Sequence, residues 1–178
     1  MLNKNKINKK KGLVFFIEGF SGSGKSSIGI QSHKKIIKLF GPTIIIHGNE
    51  MRDMLELHGF SKSERSKSAY KSRRIIEFIV NQKINVIYAV LCLNYKTKAI
   101  YKEKLKNLIE IYIKSDIKTI VENKKKKEIY NLKKNIVGIH IKPQFPKKPN
   151  IIIENNFKRS IKTLSNEMVN KLRKLKIN

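Results

Sequence analysis

Short continuous apolar blocks alternate along the chain with longer stretches in which apolar residues recur every three or four positions. Leu13-Val14-Phe15-Phe16-Ile17 is one such block, rich in β-formers, and predicts a buried strand over 13–18. Ile28, Ile30, Ile36, Ile37 and Phe40 follow at mostly helical spacing and predict a helix over 25–40, ended by Gly41-Pro42. Thr43-Ile44-Ile45-Ile46-His47 reads as a second strand, closed by Gly48. A short helix from Glu50 to Leu57 turns Met51, Met54 and Leu55 inward, and Gly59-Phe60-Ser61 breaks it. Ser61 and Glu64 have capping-box spacing. They open a basic helix over 62–82 whose later half packs Ile75, Ile76, Phe78, Ile79 and Val80. A third strand over 84–91, a helix over 97–108 and a fourth strand over 109–113 come next. Asp116 caps a helix through Ile117, Ile120 and Val121 that runs into Lys124 to Lys127. Residues 131–150, with Pro143, Pro146 and Pro149, read as a loop that closes over something. Ile151-Ile152-Ile153 is a last strand, and Ile161, Leu164, Met168, Leu172 and Leu175 form the apolar stripe of a final helix.

Strands alternating with helices build parallel βαβ units, hence an α/β doubly wound sheet covered on both faces. Between the first strand and first helix lies Gly19-Phe20-Ser21-Gly22-Ser23-Gly24-Lys25-Ser26, which fits G-x-x-x-x-G-K-[ST] at every defined position. Glycines let the backbone turn and approach an anion without a Cβ in the way, and successive N–H groups then wrap phosphate oxygens. Gly19, Ser21, Gly22, Ser23, Gly24, Lys25, Ser26 and Ser27 are the expected triphosphate cradle. Lys25 would reach the β- and γ-phosphates and Ser26 would hold Mg²⁺. The positive end of the following helix aims at the same anion. Strand, glycine loop and helix in this order predict a protein that binds ATP with Mg²⁺.

The chain has 178 residues, enough for one domain over 12–178, behind a Lys/Asn-rich segment over 1–11 that is predicted to be a disordered basic tail. Forty Lys+Arg against 13 Asp+Glu give a net charge of +27, which raises nucleic acid as a partner. The excess is nearly all lysine, spread over the whole chain beside abundant Ile and Asn, as an A+T-rich genome would write on any surface. No recognition motif or aromatic interleaving supports a nucleic-acid face, so nucleic acid is not the expected partner. The single cysteine, Cys92, excludes an internal disulfide and a thiol metal cluster. No signal-peptide pattern and no apolar run of membrane-spanning length is present, which predicts a cytoplasmic protein without a membrane partner.

Beyond the loop, several segments in one order and spacing resemble the adenylylsulfate kinases. The family's G-x-S-G-x-G-K-S loop is whole, as Gly19 to Ser26. Its D-G-D-N-x-R segment is matched by His47-Gly48-Asn49-Glu50-Met51-Arg52, and its G-F-S-x-x-D-R turn by Gly59-Phe60-Ser61-Lys62-Ser63-Glu64-Arg65. I-S-P-Y becomes Leu91-Cys92-Leu93-Asn94, and the lid's K-G-L-Y becomes Lys127-Glu128-Ile129-Tyr130. F-T-G-I-D becomes Ile136-Val137-Gly138-Ile139-His140, with Pro146 and Pro149 behind it. The resemblance covers residues 12–178 and implies a P-loop NTPase fold with a basic lid. It implies an ATP-dependent kinase acting on the ribose 3′-hydroxyl of a small nucleotide, and it raises a homodimer. Arg52 and Arg65 would hold the acceptor's phosphate, Phe60 would stack on its base, and Lys127 would help bring the lid over the phosphates.

The departures bear on chemistry. The family's two Asp residues are His47 and Asn49 here, and Asn cannot take a proton. Asn49 could still orient the hydroxyl, because positioning and charge stabilisation carry most of phosphoryl transfer. Glu18 or Glu50 could supply a carboxylate. On the acceptor side the lid aromatic is Ile136, a turn asparagine is Ser68, and a lid Arg-Asp pair is Lys124-Lys125. A relative of the family in bacterial capsule modification phosphorylates cytidine diphosphoramidate, and a smaller pyrimidine would suit Ile136. The expected acceptor is adenylyl sulfate or a cytidine diphosphate derivative. Two other classes stay open: a nucleic-acid-binding NTPase or polynucleotide kinase, resting on charge, and a catalytically silent nucleotide binder, resting on Asn49.

Overall fold

The computed structural model describes residues 10–91, 94–122 and 135–175. Five strands form one sheet: β1 (Val14–Gly19), β2 (Thr43–His47), β3 (Asn85–Leu91), β4 (Leu108–Lys114) and β5 (Ile151–Glu154). The helices are α1 (Lys25–Phe40), α2 (Gly48–Met54), α3 (Lys62–Asn81), α4 (Tyr95–Lys104), α5 (Ile117–Glu122) and α6 (Ile161–Lys174). The strand order is β2-β3-β1-β4-β5 and every pairing is parallel. This is the parallel α/β sheet expected from the alternation.

β1 runs between β3 and β4, and all six of its residues are buried. Such a strand can be read only as a continuous apolar block, since both faces need cover. Phe15 and Ile17 face Ile28 and Ile36 of α1 and Leu164, Met168 and Leu172 of α6. Val14 and Phe16 face the other way, onto Met51 of α2, Ile76 and Val80 of α3 and Tyr101 of α4. Because the connection from β3 to β4 crosses β1, the loops leaving the sheet part at the carboxyl end of β1. That switch point is where open α/β sheets bind ligands.

Several inward-facing residues expected from the pattern lie outside. Met54 is 68% and Phe78 67% exposed, and Ile30 and Ile37 also face solvent. Ile76 and Val80, one turn apart, take the buried stripe of α3, and the run around them holds more apolar residues than one face can cover. α2 begins at Gly48 rather than Glu50, with the Glu50 carboxylate accepting the His47 N–H at 3.2 Å, and ends at Met54. α4 begins at Tyr95 because the Asn94 side chain accepts the Thr97 N–H at 2.9 Å. It stops at Lys104, short of the strand start, where Asn107 turns its amide onto the Lys11 carbonyl at 3.1 Å. The capping box at Ser61 and Glu64 is present. Most of the expected basic tail, Cys92, and the lid segment with Lys124, Lys125 and Lys127 lie outside the described residues. Among those described, no helix is long and apolar enough to cross a membrane.

Candidate active site

The glycine loop occupies the turn from β1 to α1. Gly22 and Gly24 have φ of 75° and 94°, and Gly24 is the N-cap of α1. A side chain is strained there, so glycine is what permits the turn. A Cβ on Gly19 would meet the Ile113 carbonyl oxygen at 2.6 Å, which fixes glycine at the entrance as well. Lys25 Nζ donates to the Phe20 carbonyl at 2.5 Å, inside the loop's own curve. Ser26 and Ser27 are exposed on the first turn of α1, and Ser21 and Gly22 are half-buried. Ser23 is fully buried beneath the loop, with its N–H on the Phe20 carbonyl at 3.2 Å. It gives the loop its shape from below.

The Phe20 ring ties this loop to the segment from Ile136 to Phe145. It meets Phe145 edge-on at 5.0 Å and shares an apolar cluster with Ile120, Ile136 and Val137. Gly138, with φ 98°, lets that segment fold back, since a Cβ there would overlap Ile117 and the Phe20 ring. Ile136 is therefore sunk in the cluster, only 9% exposed.

Glu18, at the end of β1, is fully buried. Lys98 of α4 donates to its Oε1 at 2.8 Å and lies 3.6 Å from Glu110 of β4, which also pairs with Lys102 at 2.7 Å. Burial pushes the Glu18 carboxyl up to about 8, against the opposing pull of Lys98. Glu18 thus stands beside the loop in a network with Lys98, Glu110 and Lys102, and its Oε2 is buried without a hydrogen-bond partner among the described residues. Lys98 and Glu110 are site-adjacent residues the sequence did not single out.

The acceptor-side residues come together at the turn between α2 and α3. Arg52 donates to the Gly59 carbonyl, and Arg65 donates from Nε to the Phe60 carbonyl at 2.9 Å and from Nη2 to the Asn135 carbonyl at 2.8 Å. Both guanidinium carbons lie over the Phe60 ring, at 4.6 and 5.4 Å from its centre, while the ring stays 51% exposed. Burial, reinforced by the charge of Arg52, pulls Arg65 below its usual range. Gly59 leaves room for the Glu64 carboxylate, which a Cβ would overlap. Asn49 is exposed on α2, and Ser68 is buried on α3. Two cations over an exposed aromatic ring make a platform for a flat, anionic molecule.

The family described as Adenylylsulphate kinase matches residues 11–154. The chain belongs to that family. Its members transfer phosphoryl groups to hydroxyl acceptors, and the chain is a kinase-type phosphotransferase of that kind. A cytidine diphosphoramidate kinase of Campylobacter jejuni is 24% identical over 168 residues, 92% of this chain and 98% of that protein. An adenylyl-sulfate kinase of Clostridium acetobutylicum is 27% identical over 159 residues, 85% of this chain and 79% of that protein. In fold, the chain is similar to the APS kinase of Mycobacterium tuberculosis, solved in complex with AMPPNP and APS. That match has a TM-score of 0.81 at 19% identity and spans 92% of this chain and 98% of that one.

Proposed function

We propose that this adenylylsulphate-kinase relative transfers the γ-phosphoryl group of ATP to the ribose 3′-hydroxyl of a small nucleotide. The observation that supports the reading is two groups of residues suited to anionic ligands near the carboxyl edge of the sheet. The glycine loop with Lys25 opens there, and Arg52 and Arg65 frame the exposed Phe60 ring. ATP binding exchanges the Phe20 carbonyl on Lys25 for the β- and γ-phosphate oxygens. The ammonium then steadies the charge that develops as the γ-phosphoryl departs. Asn49, where the family pattern has a carboxylate, orients the acceptor hydroxyl and takes no proton. Lys127 would join from the lid.

The donor set fits Mg²⁺ carried on substrate phosphates. Ser26 offers one exposed hydroxyl on the first turn of α1, and this ion is commonly held by few protein ligands plus phosphates and water. Bound there through Ser26, it would supply charge neutralisation.

The acceptor reading is a cytidine diphosphate derivative such as cytidine diphosphoramidate, with adenylyl sulfate as the competing substrate. Phe60 is an exposed aromatic face at the turn, and Ile136, which stands at the family's lid aromatic, is withdrawn into the cluster around Phe20. A one-faced platform penalises the larger adenine ring more than a pyrimidine. ATP turnover against adenylyl sulfate, cytidine diphosphate derivatives and free nucleosides tests this reading. A preference for adenylyl sulfate of about tenfold or more in kcat/KM removes the cytidine assignment. ADP release indifferent to every acceptor removes the kinase assignment itself.

A further inference from the structure

Asn155 lies immediately beyond β5 and is 2% exposed. Its Nδ2 donates to the Ser23 carbonyl at 2.9 Å, across 132 residues of sequence. Its Oδ1 accepts the Phe157 N–H at 3.0 Å, so both ends of the carboxamide are committed and its orientation is fixed. The backbone beneath it is equally held. The Asn155 N–H donates to the Lys114 carbonyl at 2.9 Å, and Ser115 Oγ donates to the Asn155 carbonyl at 2.9 Å. The last strand of the sheet therefore carries a rigid donor aimed at the glycine loop.

The Ser23 carbonyl belongs to the peptide unit whose nitrogen is that of Gly24. In a planar trans peptide the C=O and N–H point in opposite directions. Holding the carbonyl on Asn155, inside the protein, sends the Gly24 N–H toward the opposite side, where the loop curves around its anion. Gly24 is also the N-cap of α1, so the same peptide sets the start of the helix whose positive end faces the phosphates. The contact is close as well as directional. A Cβ on Gly24 would meet Asn155 Nδ2 at 3.0 Å.

We infer that Asn155 is a positioning residue for the triphosphate site, presetting the Ser23–Gly24 peptide so that a backbone donor faces the nucleotide before it binds. The inference rests on the ATP reading proposed above. It assigns Asn155 no contact with nucleotide or acceptor, so its effect falls on the donor side alone.

Asn155→Asp is the discriminating variant. It keeps the oxygen that accepts from Phe157 and replaces the donor to Ser23 with an acceptor, setting oxygen against oxygen. Asn155→Ala, which places no charge there, serves if the aspartate variant does not fold. Calorimetric titration with Mg-ATP and steady-state kinetics on full-length protein read the result. The expected outcome is an affinity for ATP weakened by about tenfold, the scale of a buried carbonyl left without its partner. The acceptor KM stays near wild type, while the melting temperature without nucleotide falls, further for the aspartate variant because it buries a charge. ATP affinity within twofold of wild type overturns the inference, as does a parallel loss of ATP and acceptor binding. A wild-type protein that binds no ATP overturns the parent reading and this one with it. Binding by wild type and an equally avid variant removes this one alone.

Discussion

Phe60→Ala tests the acceptor platform, because the ring carries little of the fold. It is 51% exposed, so the apolar packing lost with it is on the scale of a surface change, about 0.5 kcal/mol. The two guanidinium groups over it lose cation–π contacts of about 0.5–1 kcal/mol each at an exposed position. They do not come loose, since Arg52 keeps the Gly59 carbonyl and Arg65 keeps the Phe60 and Asn135 carbonyls. What disappears is the stacking face, and a base held by stacking loses about 1–3 kcal/mol. Acceptor affinity should fall by about ten- to a hundredfold, while the KM for ATP holds. Phe60→Tyr should restore acceptor binding and Phe60→Leu should not, because leucine returns apolar volume without a π face. Acceptor titrations and a coupled ADP assay on the four proteins supply the comparison. An alanine variant whose acceptor kcat/KM stays within twofold of wild type would show that no base rests on this ring. Equal losses for ATP and acceptor would make Phe60 a structural residue.

Lys25→Ala should abolish phosphoryl transfer, measured as acceptor-dependent ADP formation, and near-normal turnover would take the glycine loop out of the mechanism. Ile136→Phe should raise kcat/KM for adenylyl sulfate relative to the cytidine acceptor. It should also lower the melting temperature, because overpacking the cluster around Phe20 costs about 1–3 kcal/mol; an unchanged ratio of the two acceptors refutes the role. The Glu18 carboxyl is raised in the folded protein, from 4.5 to about 8, so its contribution to stability is full below 4.5 and is lost as pH rises through about 8. Melting temperatures across that window should fall for wild type and flatten for Glu18→Gln, and parallel profiles for the two would rule out Glu18 as the titrating group.

The features legible in the sequence are those written in a few adjacent residues. The loop from Gly19 to Ser26 carries its own turn chemistry, and the glycine turn between β1 and α1 could be read without any knowledge of the fold. Ser61 and Glu64 announce the start of α3 in the same local way. The apolar blocks announce the strands because a strand covered on both faces has no choice of composition. Excess apolar residues mislead by the same logic. Phe78 and Met54 belong to stretches with more hydrophobic positions than a single helical face can bury, and nothing local says which will be left out.

What stayed hidden depends on which strand lies beside which. Glu110 faces Phe16 in the β1–β4 register, and Glu18 is two residues past Phe16, so both carboxylates emerge on one face of the sheet. Each, taken in its own strand, looks like an ordinary polar interruption. Only the order β3-β1-β4 makes them neighbours, and only then does Lys98 of α4 acquire two partners. Asn155 is hidden for the same reason, since its partner is 132 residues away and joined to it only by the closing of the sheet. Composition deepens the problem for Lys98. Among 40 Lys+Arg, one lysine in an amphipathic helix has no contrast with its surroundings, and its neighbours predict a solvated face. Yet a lysine this deeply buried is tolerable only where carboxylates wait for it, and those are supplied by two different strands. In a chain this basic, the acidic residues are therefore the better guide to buried function. Glutamates interrupt apolar strands at Glu18 and Glu110, and each marks a place where a cation from another element has to come in.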